Sequence, residues 1–118
     1  MEVFETVVKA IGPEAGLFKE EQMLILFGLD APDTLKDYCF NIEVKPVLTE
    51  IKAGMTLAFD DQEYEITAVG DLVSKNLSDL GHITIKLDGA VTAELPGTLY
   101  VSAGNYPEIE LETVIKIA

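Results

Sequence analysis

Apolar and polar residues alternate with a period of two along most of this chain, as they do in strands that bury one face and solvate the other. Residues 3–11 are rich in β-branched side chains and stop at Gly12-Pro13, while residues 23–27 form a continuous apolar run that stops at Gly28. Residues 40–47 read as a strand up to Pro46, which cannot donate to a ladder and marks an edge or an end. Residues 55–59 and 64–69 flank Asp60-Asp61-Gln62-Glu63, a polar stretch suited to a hairpin loop. Residues 82–87, 98–103 and 109–117 complete the predicted strands.

Two short helices interrupt them. Pro32 suits a first helical turn, and Leu35, Tyr38 and Cys39 follow at i, i+3, i+4, which gives one apolar face. Residues 73–80 make the second helix, with Gly81 as its stop. Strands this dense, without a βαβ rhythm, predict an all-β fold: a small, closed, Greek-key-like antiparallel β-barrel with one or two short helices. Turn signals recur at 51–54 and 95–97, yet no internal repeat emerges.

The 118 residues fit one domain, 1–118, able to bury roughly 65% of the surface of the unfolded chain. The longest apolar run falls far short of the ~20 residues of a membrane helix, and the N-terminus lacks the regions of a signal peptide. A cytoplasmic protein without membrane insertion is the expectation. Cys39 is the single cysteine, so no intramolecular disulfide can form, and one cysteine with one histidine leaves zinc and iron–sulfur sites without their usual ligands. No metal or cofactor is expected.

Net charge is −13, and all eight basic residues are lysines. Nucleic-acid binding needs a basic face to neutralise phosphates, so that class is set aside. There is neither an arginine to clamp phosphate nor a GxxxxGK[ST] loop, which argues against an autonomous nucleotide phosphotransferase. An acidic surface keeps a protein soluble and also steers positively charged partners toward it.

Chemistry converges on His82, the only imidazole. On a strand over 82–87, His82, Thr84 and Lys86 share one face and Ile83, Ile85 and Leu87 the other; the apolar face must be the core. His82 is thus expected to point outward or into a shallow depression, directly after Gly81, where a backbone without Cβ lets another protein approach. At its ordinary pKa of about 6.5 the ring is largely neutral near pH 7 and offers a lone pair for attack on phosphorus. Phosphoryl transfer needs donors around the equatorial oxygens; Thr84 offers a hydroxyl and Lys86 a charge, although Lys86 must reach back about 13 Å along the strand. Cys39 is a second nucleophile by chemistry, but the apolar face of a short helix favours packing. Glu63 and Glu65, and Glu108, Glu110 and Glu112, alternate at about 6.6 Å, a spacing that overlaps glycosidase pairs and equally suits solvated strand faces. Tyr64, Tyr100 and Tyr106 form no evident stacking platform.

ITAVG at 66–70, Asn76-Leu77, LGHIT at 80–84, Asp88-Gly89 and AELPGTLYV at 93–101 resemble the glucitol/sorbitol-specific enzyme IIA component of the bacterial sugar phosphotransferase system. Upstream, Gln22-Met23-Leu24-Ile25, Ala31-Pro32 and Asp37-Tyr38-Cys39-Phe40 continue the likeness in order. The resemblance implies a small β-barrel that receives a phosphoryl group from the phosphocarrier HPr on a histidine and passes it to a cysteine of the IIB part of the membrane-bound IIB/IIC permease. It also implies a histidine in a Cys-x-x-His arrangement, and here Ile42 stands at that position. Either His82 takes over as the acceptor, or the chain is a non-phosphorylated paralogue that binds and regulates, or the motif lies in another register. Sugar identity and oligomeric state stay open.

Overall fold

The computed structural model describes residues 2–118. Within them, eight strands close into a barrel: β1 (Phe4–Ile11), β2 (Met23–Gly28), β3 (Phe40–Ile42), β4 (Thr56–Phe59), β5 (Gln62–Val69), β6 (Ile83–Lys86), β7 (Thr98–Val101) and β8 (Val114–Ile117). Their order around the barrel is β1-β3-β2-β6-β7-β5-β4-β8, and the ring closes through β1 against β8. Six pairings are antiparallel; β2 with β3 and β6 with β7 are parallel. The expected closed β-barrel is therefore what forms, and its parallel pairs arise where the chain crosses over before returning alongside itself.

Alternation sorts the side chains. Phe4, Val8, Leu24, Leu26, Ile42, Leu57, Phe59, Ile66, Ile83, Ile85, Leu99, Val101, Ile115 and Ile117 fill the barrel, while Glu5, Lys9, Glu63 and Glu65 take the outer face. Helix α2 (Val73–Leu80) inserts Val73 and Leu77 into the same core, and Gly81 ends it in the left-handed conformation at φ 69°. This matches the predicted helix residue for residue.

Elsewhere the structure corrects the predicted bounds. Strand β3 ends at Ile42 rather than Val47: beyond it Val47 and Ile51 hand their N–H groups to the hydroxyls of Ser78 (3.3 Å) and Ser74 (3.1 Å), which ties the segment to α2, while the Leu48 N–H still reaches the Val3 carbonyl at 2.8 Å. Nor is β3 an edge, since it lies between β1 and β2. The hairpin loop is two residues, Asp60-Asp61, with Asp60 at φ 56°, a conformation Asp tolerates; Gln62 and Glu63 already belong to β5. The last strand starts only at Val114, so Glu108, Glu110 and Glu112 do not alternate on a strand, and Glu112 sits at φ 71°. Helix α1 (Asp33–Lys36) is a single turn, too short to present an apolar face: Leu35 and Tyr38 stay exposed and only Cys39 turns inward.

Candidate functional site on the outer barrel wall

His82 is the joint between α2 and β6. Its backbone N–H reaches the carbonyl of Asn76 at 3.3 Å, and the Gly81 N–H reaches the carbonyl of Leu77 at 3.0 Å, so the helix end fixes where the histidine leaves. Gly81 does not serve partner access as expected. It is buried, and a Cβ there would lie 3.0 Å from the Gly28 nitrogen and 3.3 Å from the Ile42 side chain. The missing side chain lets the helix end close against β2 and β3.

The predicted division of faces holds from 82 to 87: His82, Thr84 and Lys86 are half-buried on the outer wall, and Ile83, Ile85 and Leu87 are buried inside. The register of β2 against β6 pairs Ile25 with Thr84 and Leu26 with Ile83, and its continuation brings Phe27 opposite His82. The two rings stack, with centroids 4.1 Å apart and planes inclined by 11°. Phe27 belongs to a small apolar cluster outside the barrel core, with Ala31 and Cys39 and with Ile25 packed against it. Burial lowers the imidazole pKa below its ordinary value and so favours the neutral ring. Among the described residues neither ring nitrogen has a hydrogen-bond partner, and no buried side-chain nitrogen is left unpaired; the nitrogens therefore reach solvent.

Other candidates separate from this site. Cys39 is 1% exposed, its Sγ donates to the Leu35 carbonyl at 3.1 Å, and burial raises its thiol pKa; it is a packing residue. Lys86 extends toward Asp88, 3.8 Å away and at the end of β6 remote from His82. Glu43 lies between Lys45 (3.2 Å) and Lys9 (3.5 Å), and its hydrogen bond to Lys45 heads the causes that lower its pKa. Tyr106 donates to the Met23 carbonyl at 3.1 Å, with burial pushing its pKa up to about 12.

Ile42 is fully buried inside the barrel, opposite Val8 on β1 and Gly28 on β2. The neighbours that share the other face of β3 are Asn41, whose amide donates to the Gly28 carbonyl at 3.5 Å, and Glu43. Position 42 is thus a core position in this chain. Phe27 escaped the sequence reading because 23–27 is apolar on both faces, so its outward direction had no local signal.

An eight-stranded closed barrel of this kind belongs to a class of proteins already known in three dimensions. The fold matches the crystal structure of a PTS system IIA component from Enterococcus faecalis with a TM-score of 0.85 and 31% identity, covering 95% of this chain and 97% of that one. The model of the PTS system glucitol/sorbitol-specific IIA component matches residues 3–116. The PTS system glucitol/sorbitol-specific EIIA components of Shigella flexneri and Escherichia coli are each 38% identical over 109 residues, which is 90% of this chain and 85% of theirs. The chain belongs to the glucitol/sorbitol-specific IIA family.

Proposed function

We propose that this protein is the cytoplasmic phosphocarrier of a sorbitol- or glucitol-type phosphotransferase system, accepting a phosphoryl group from HPr on His82 and passing it to the IIB part of the permease. One observation carries the choice of residue: the only imidazole of the chain stands half-buried on the outer wall, without a hydrogen-bond partner for its ring nitrogens among the described residues and with its neutral form favoured. In the transfer, the lone pair of a neutral ring nitrogen forms the new N–P bond while the P–N bond of the donor breaks and its electron pair returns to the donor nitrogen. The second transfer runs the same exchange toward the IIB sulfur. Thr84 is the hydroxyl that shares the His82 face, and the absence of any arginine leaves further equatorial stabilisation to the partner, as suits a carrier. Among the described residues no helix is long and apolar enough to cross a membrane, which agrees with a carrier that shuttles between partners.

Labelling from phosphoenolpyruvate through enzyme I and HPr tests this. Wild-type protein is expected to take up one acid-labile phosphoryl group and His82→Ala none; label that survives the substitution rules His82 out. Ile42, an aliphatic side chain at the position where the resemblance implies the histidine, favours a second reading, a non-phosphorylated paralogue that binds and regulates. An unlabelled wild type that still captures HPr or the permease would establish that reading instead.

A further inference from the structure

We propose that Phe27 is a positioning residue for His82, its ring fixing the imidazole plane so that a nitrogen edge faces the incoming phosphorus. This rests on His82 being the acceptor. A flat ring at 4.1 Å and 11° covers one face of the imidazole. Both nitrogens and their lone pairs lie in the ring plane, so a stack leaves the reactive edge open while it restricts rotation about Cβ–Cγ. An exposed histidine without such a backing samples several rotamers, and each encounter with a partner must wait for the right one.

The support is itself rigid. Phe27 is 9% exposed and held by the Ala31 and Cys39 cluster, and its strand is paired on both sides, to Asn41 of β3 and to β6. From the other direction the α2 stop ties the His82 backbone to Asn76. Gly81 packs against Gly28, the residue that follows Phe27, so the backbone mount and the ring mount meet at one place. The histidine is held at its main chain and on one ring face, and its nitrogen-bearing edge is left to a partner. The same ring keeps water from one imidazole face, in line with the burial that favours the neutral nucleophile.

The test uses intact protein and the fact that a single histidine gives a single set of imidazole resonances. In Phe27→Leu, which keeps an apolar strand residue but no flat face, the ring-current displacement of the His82 protons should collapse. The rate of labelling by phospho-HPr should fall at least ~10-fold, since small misplacements of a reacting group carry penalties of up to about 100-fold. Phe27→Trp, which restores a flat ring, should recover most of the rate, and thermal melts identify any variant that fails for lack of folding. Equal labelling rates in wild type and folded Phe27→Leu overturn the proposal. A wild type that takes no label, with the ring-current change still present on substitution, defeats the acceptor reading itself and leaves the stack as packing.

Discussion

At His82, the proposed acceptor, the physics is a balance between exposure, which a nucleophile needs, and burial, which keeps the ring uncharged. Because its folded pKa lies below the unfolded value of about 6.5, the unfolded chain binds more protons in the interval between the two, and stability falls as pH drops through that interval. His82→Gln should therefore flatten the pH dependence of urea unfolding between the ordinary histidine value and the lower folded one. An equally steep dependence in the variant would show that other groups cause it. Labelling should slow only as pH falls to the lower folded value and beyond, where the lone pair of the folded ring is protonated. Position 42 behaves oppositely: Ile42→His would place an imidazole among Val8, Leu26 and other core side chains, and should cost roughly 2–4 kcal/mol in chemical denaturation without adding a labelled site. Label appearing at 42 would contradict the inward direction of that side chain. Cys39 was legible as a packing residue from its apolar setting, whereas the direction of Ile42 required the register of β3 against β1.

Among the elements, α2 does most to place the site. It plugs the barrel with Val73 and Leu77, holds the 47–51 segment through Ser74 and Ser78, and delivers His82 through the Gly81 stop. Ser74→Ala should leave the Ile51 N–H without its partner and lower stability by about 1 kcal/mol, read from equilibrium unfolding. Gly28→Ala is a harsher change. A Cβ there would meet the Leu80 carbonyl at 2.7 Å and the Val44 side chain at 2.6 Å, and the backbone cannot yield as a side chain can. A loss of roughly 1–3 kcal/mol and a shifted His82 resonance are expected; an unperturbed spectrum would refute the close approach of α2 to β2. The helix itself was plain in sequence from its terminal glycine. The path of residues 43–51 was not, because two serine hydroxyls on a helix, 23 and 31 residues further along than the groups they bind, tie it down.

For the whole molecule, two properties matter most: closure and charge. Among the described residues each strand has a neighbour on both sides, so their barrel leaves no sheet edge to pair between copies. The net charge of −13 is spread over a body of 32 × 30 × 27 Å, larger than the Debye length of about 10 Å at 0.1 M salt. Raising salt from about 0.01 to 0.15 M should screen the self-repulsion and raise the melting temperature by ~4 °C, equivalent to roughly 1 kcal/mol, while slowing association with a basic partner. A melting temperature that stays flat or falls across the salt series would contradict this. Surface charge was fully legible from composition; closure was inferred from the density of strands, and the strand order that achieves it was not.

Sequence alone determined the alternation that sorts core from surface, the helix before Gly81, the solitary imidazole and its face, and the family likeness, because each is written in residues close together along the chain. Tertiary structure alone decided that Phe27 backs His82, that Gly28 and Gly81 touch, and that Ile42 points inward. Those facts depend on which strands become neighbours when the barrel closes, and that pairing is set by the packing of the whole core rather than by any local pattern.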